Sequence, residues 1–186
     1  NFKWSSQTTT NTSIAKSTTI GYHLDDNDIG DFFSVDIYND PRYNTPLFKL
    51  NAGTSSCPNE PGTQTRDKPQ KDLNRYTVSN VPANEPAVFV ANIANVNESE
   101  EGREYAVRVI PATNMDGAII RMGGQIINTT PVVFFLQPGP SIPITITVER
   151  GPYAFNYQDI QLMMYPECEY AIFQNGGSFV NTDTVS

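Results

Sequence analysis

The stretch Ile144-Thr145-Ile146-Thr147-Val148-Glu149 alternates apolar and polar residues without a break. Successive strand side chains point to opposite faces, so this pattern writes a strand with one face on a core and the other in water. The same two-residue period recurs outward from it. Tyr105, Val107 and Val109 alternate around Arg108. Phe33, Val35 and Ile37 alternate with Ser34 and Asp36, and Ile160, Leu162 and Met164 alternate ahead of Pro166. Ala87-Val88-Phe89-Val90-Ala91 and Val132-Val133-Phe134-Phe135-Leu136 are unbroken apolar runs, the pattern expected where both faces of a strand are covered.

Turn-forming residues separate these runs. Asp116-Gly117 is expected to close a hairpin between residues 105–110 and 118–122, since glycine takes positive φ without steric cost. Gly123-Gly124 is expected to reverse the chain again toward Gln125-Ile126-Ile127. Gln137-Pro138-Gly139-Pro140 and Gly151-Pro152 end two further runs. About ten strands with Gly and Pro between them predict an all-β sandwich or barrel, with no helix longer than about two turns.

An immunoglobulin-like sandwich uses about 100 residues, so the 186 residues of this chain suggest two packed β units. Residues 1–13 read as an extended N-terminal arm and residues 14–82 as a first unit with a long polar loop at 54–72. Residues 83–175 carry seven strand candidates and read as an immunoglobulin-like sandwich. Residues 176–186 form a C-terminal arm or an edge strand. The chain starts Asn1-Phe2-Lys3-Trp4, with neither an initiator methionine nor an apolar signal segment, as expected of a mature protein or a segment of a longer one.

Charge and residue usage narrow the functional classes. Twenty acidic residues against twelve basic ones give a net charge of −8, unsuited to nucleic acid, which needs clustered Lys and Arg. The central apolar run of residues 132–136 is far short of a membrane span. His23 is the sole imidazole, in the probable strand context Ile20-Gly21-Tyr22-His23-Leu24, and no Gly-x-Ser-x-Gly elbow occurs. A glycosidase-type carboxylate pair stays open, because only geometry selects one pair among twenty acids. The expectation is a protein that is not an enzyme.

Three groups of residues are candidate sites. Asp25-Asp26-Asn27-Asp28-Ile29-Gly30-Asp31 gathers the oxygens a hard cation wants, so Asp26, Asp28 and Asp31 are the calcium candidates. The spacing is not that of an EF-hand, and an acidic turn between strands explains the same residues. Cys57 and Cys168 both lie in turn-like contexts, and Glu167 and Glu169 oppose a reactive thiolate at Cys168. They read as one disulfide in an oxidising compartment, the alternatives being two thiols or a bond to another chain. Glycosylation sequons stand at Asn11, Asn97 and Asn128, about the number chance supplies at this Asn, Ser and Thr content.

The phrases containing residues 25–31, Phe33-Ser34-Val35-Asp36, Asp40-Pro41 and residues 45–67 resemble immunoglobulin-like and fibronectin-like modules of long, repetitive secreted or surface proteins. So does the later series at residues 105–110, 118–122, 148–152 and 165–169. The resemblance covers most of residues 18–170 and implies an extracellular structural or adhesive role. It carries over no catalytic residue. The Cys-Trp-Cys core of antibody domains is absent, since Trp4 lies outside the interval between the cysteines.

The resulting expectation is a structural module of a surface fibre or filament, with copies of itself or adjacent modules as partners. Phe2 and Trp4 would anchor its terminal arm on a neighbour's sheet edge. The competing expectation is a carbohydrate- or ligand-binding sandwich, with calcium assisting and exposed Tyr or Trp making the contacts.

Overall fold

A computed structural model describes residues 2–8, 16–22, 30–97, 100–174 and 183–185. Their regular elements are fourteen strands, one 3-10 turn and one α-helix. The centre is a sandwich of two antiparallel sheets. One contains, in spatial order, β10 (Gln125–Ile126), β9 (Ile119–Met122), β12 (Ile142–Glu149), β7 (Ala87–Asn95) and β6 (Pro69–Leu73). The other contains β11 (Val132–Leu136), β8 (Arg103–Val109), β13 (Leu162–Pro166) and β14 (Asp183–Val185).

The alternation in the sequence sets the facing surfaces. Tyr105, Val107 and Val109 of β8 are fully buried together with Met164 of β13. Against them lie Ala91 and Ile93 of β7, Ile120 and Met122 of β9, and Ile146 of β12. Ile144 and Val148 are half-buried on the same side as Ile146, whereas Thr145 is exposed. The all-β sandwich read from the sequence is thus the fold. Its one α-helix, α1 (Glu167–Gln174), has eight residues. It contacts β8 and β13, and Tyr170 stacks on Tyr165 with ring centroids 6.2 Å apart.

Several local expectations change. Asp116-Gly117 does not close a hairpin: β8 and β9 lie in different sheets. Residues between them pass through a 3-10 turn at Pro111–Thr113, and Gly117, at φ 73°, turns the chain across the sandwich. The Asn114 side chain holds this crossover from both sides, accepting from Ala118 N at 2.9 Å and donating to Ala118 O at 2.8 Å. Gly123-Gly124 does reverse the chain, at φ 58° and 85°, pairing Gln125 with Met122. The segment read as a strand-free loop at 54–72 contains β5 (Gln64–Thr65) and β6. β6 precedes the boundary expected at residue 82, yet it pairs with β7 inside the sandwich. Its polar composition hides it because Lys71 is buried while Gln70 and Asp72 face outward.

The remaining strands form smaller sheets. β3 (Phe32–Asp40) and β4 (Thr45–Ser55) make a long antiparallel hairpin, with β5 parallel to the end of β4. Within the expected N-terminal arm, residues 2–8 form strand β1 (Phe2–Thr8), paired with β2 (Lys16–Tyr22). The C-terminal segment supplies β14, which pairs with β13 and so belongs to the chain's own sandwich. Cys57 and Cys168, 111 residues apart, are joined with their Cα atoms 6.2 Å apart. Closing so long a loop stabilises a fold by about 4–5 kcal/mol in the chain-entropy account.

Two expectations follow from the core. Ile146→Asp places an unpaired carboxylate between the sheets, which costs several kcal/mol; chemical denaturation should show a protein largely unfolded in buffer. Burial raises the hydroxyl pKa of Tyr165 from 10.0 to about 12, and burial together with the Asp67 carboxylate raises that of Tyr105. The folded chain therefore keeps protons that the unfolded chain releases above pH 10. The contribution of these two hydroxyls to stability should be flat with pH below 10 and fall between pH 10 and about 12. A Tyr105→Phe variant should show a shallower alkaline decline in urea titrations.

Candidate functional site: an uncharged sheet edge

β11 forms one edge of the four-stranded sheet. Its five residues, Val-Val-Phe-Phe-Leu, contain no charge. Val132 and Leu136 point inward and are buried, with Phe134 half-buried between them. Val133 and Phe135 point outward and are 43% and 60% exposed. The apolar run does not have both faces covered, as expected from its continuity, because an edge strand has one neighbour and α1 lies over the next two strands. Across the ladder Val133 faces Ala106 and Phe135 faces Glu104. The Phe135 ring lies over Gly102, where an added Cβ would come within 2.5 Å of it.

Edges of natural sheets are usually blunted by a lysine, a bulge or a very short strand. β10, at an edge of the other sheet, has two residues, and at the opposite side β6 and β14 touch each other. β11 has neither device. Pro131 and Pro138 flank it, and proline without an N–H is tolerated at an edge.

A buried polar network anchors one end of this edge. The Tyr105 hydroxyl donates to Asn95 Oδ1 at 2.8 Å, and Asn95 Nδ2 donates to Leu136 O at 3.1 Å and Glu101 O at 2.9 Å. The end of β11 is thereby tied to β7 of the facing sheet. Arg103, beside it, pairs with Glu101 at 3.0 Å and with Asp67 at 3.2 Å. Asp67 Oδ2 also accepts from Cys57 N at 2.6 Å, next to the disulfide.

The residues singled out from the sequence are dispersed. Asp31 accepts from both Ser56 N and Ser56 Oγ and pairs with Arg66 at 2.9 Å, its side chain 2% exposed. Its carboxylate anchors the base of the β3–β4 hairpin. Asp26, Asp28, His23 and Asn11 lie outside the described residues. Among the described residues no three His, Cys, Asp or Glu side chains are grouped to hold a metal ion. Asn128 donates from Nδ2 to Ala118 O at 2.6 Å and accepts from Ile120 N at 2.8 Å. Asn97 is buried and donates to Glu101 O at 3.0 Å. At both sequons the amide nitrogen that a glycan would occupy is committed to the backbone. Phe2 and Trp4 are positions on β1, opposite Tyr22 and Ile20 of β2.

The edge character of residues 132–136 escaped the sequence reading, although the flanking prolines were its visible sign. The Tyr105–Asn95 network had no local signature, its members being 10 residues apart. No protein-family model and no curated protein matches the chain.

Asp67→Ala should destabilise the protein by about 3–5 kcal/mol in urea titrations, because it strips a buried ion-pair partner from Arg103 and the acceptor from Cys57 N. Adding Arg103→Met should recover part of the loss, since the guanidinium that lost its buried partner, and still pairs with Glu101, goes with it.

Proposed function

We propose that this chain is a non-enzymatic structural module of an extracellular assembly, joined copy to copy by strand addition at β11. The observation that carries this reading is the uncharged β11 edge with Val133 and Phe135 facing outward. An added strand gains backbone hydrogen bonds along such an edge while alternate side chains fix its register.

The N-terminal hairpin is the donor in this reading. The β1–β2 register pairs Phe2 with Tyr22 and Trp4 with Ile20, so these four apolar positions share one face. A two-stranded hairpin alone is marginal in water and gains stability from a third strand or an apolar partner. The arm anticipated from Phe2 and Trp4 thus docks as a ribbon rather than as a single strand. Donor and acceptor differ, so the contact is heterologous and propagates into a filament. The Cys57–Cys168 bond supports an oxidising compartment, as expected for secreted or surface proteins.

In Phe135→Lys the exposed ring is replaced without disturbing the core. Its melting temperature should match that of the parent, while end-to-end association seen by sedimentation and electron microscopy should be lost. A parent protein that stays monomeric at high concentration, or a variant that assembles equally well, overturns the reading.

A further inference from the structure

At one end of the sandwich, away from β11, the loops at 74–86 and 150–161 wall a cleft of about 980 Å³. That lies within the size range of small-molecule sites, roughly 300–1,000 Å³. Its floor is apolar, but the floor does not choose the ligand. Ile120 and Ile146 are 1% and 2% exposed and offer almost no surface. Leu73, Phe89, Val148 and Ile160 are half-buried beside them, so some apolar surface remains beneath polar walls.

Two aromatic rings stand open there, Tyr76 at 58% and Phe155 at 73% exposure. The Arg150 guanidinium lies over the Phe155 ring, 3.6 Å from its centroid. This contact fixes both groups at the rim while the guanidinium edge keeps its donors. The Tyr76 hydroxyl donates to Asp72 at 2.9 Å, which braces the other ring. The Tyr157 hydroxyl receives Gly151 N at 2.7 Å and donates to Ala154 O at 2.9 Å, pinning the 150–161 loop to itself. Asn80 and Asp159, both at positive φ (59° and 54°), line the cleft with Glu85, Asn156 and Gln158.

Aromatic faces beside amides, carboxylates and one guanidinium match a sugar ring. Its C–H face packs on an aromatic ring, and each hydroxyl both donates and accepts, as planar polar side chains require. An acyl chain would meet that half-buried apolar floor but leave the amides and carboxylates of the walls without partners, whereas a ligand rich in hydroxyls pairs them. A nucleotide or other polyanion would face Glu85, Asp159 and a single arginine. We propose that this cleft binds a neutral oligosaccharide, with Tyr76 and Phe155 as stacking platforms and Arg150 among the hydroxyl-binding groups. This is a binding activity separate from assembly at β11, and it stands or falls independently of it.

The test is titration of the whole chain with neutral hexasaccharides of glucose, xylose, mannose and N-acetylglucosamine, followed by calorimetry and amide chemical shifts. Decanoate serves as the apolar arm. At least one saccharide should bind in the micromolar to millimolar range, with shifts confined to the 74–86 and 150–161 loops. Tyr76→Ala and Phe155→Ala should each weaken it about tenfold, near 1.4 kcal/mol, with unchanged melting temperature because both rings are largely exposed. Absence of shifts with every saccharide overturns the proposal. Binding of decanoate alone also overturns it, as does saccharide binding that neither variant weakens.

Discussion

The buried hydrogen bond from Tyr105 to Asn95, 2.8 Å long, joins the two sheets at the point where most of the structure meets. Tyr105 is a core residue of β8 and Asn95 ends β7 in the facing sheet. A buried amide without partners would cost several kcal/mol. Here Asn95 is satisfied by Tyr105, Leu136, Glu101 and the backbone N–H of Asn97. Those bonds fix how far the sheets are offset and where β11 stops. Such a network specifies one register, because any slip of β8 against β7 would strand several polar groups at once.

Around that bond the β3–β4 hairpin and the sandwich are held together by links of different kinds. The disulfide fastens Cys57, just after β4, to the start of α1. Asp67 bridges Cys57 N and Arg103, so the ion pair and the covalent bond secure the same place. Asp31 and Arg66 close the base of the β3–β4 hairpin. Beyond this base, Val35, Ile37, Phe48 and Leu50 are only half-buried along the hairpin. The division of labour is physical: packing builds the sandwich, while charge pairs and the disulfide orient what projects from it.

The two proposed functional surfaces sit in different parts of the sandwich for reasons of topology. The proposed assembly uses a strand edge, which exists wherever a sheet ends without cover. The proposed recognition uses the loops that connect strands at one end, which vary without disturbing the core. In the proposed filament each module would present its cleft once per repeat, so weak sugar binding by single modules would add up along the assembly.

The sequence by itself determined most strands of the sandwich and its core. The alternation at Ile144, Ile146 and Val148, and at Tyr105, Val107 and Val109, assigns each side chain to a face, because a strand has a two-residue period. The Gly123-Gly124 reversal was legible for an equally local reason: glycine takes positive φ without steric cost. Tertiary structure alone decided which strands become neighbours. Asp116-Gly117 has the chemistry of a hairpin turn, yet it carries the chain between sheets, since β9 finds its ladder on β12 rather than on β8. Val-Val-Phe-Phe-Leu reads as a covered strand, and only its place at the end of the sheet exposes Val133 and Phe135. Asp31 has the composition of a cation ligand, but Arg66, 35 residues away, supplies the positive charge instead. In each case the local pattern fixes what a residue can do, while contacts from distant parts of the chain select which of those roles has the lowest free energy.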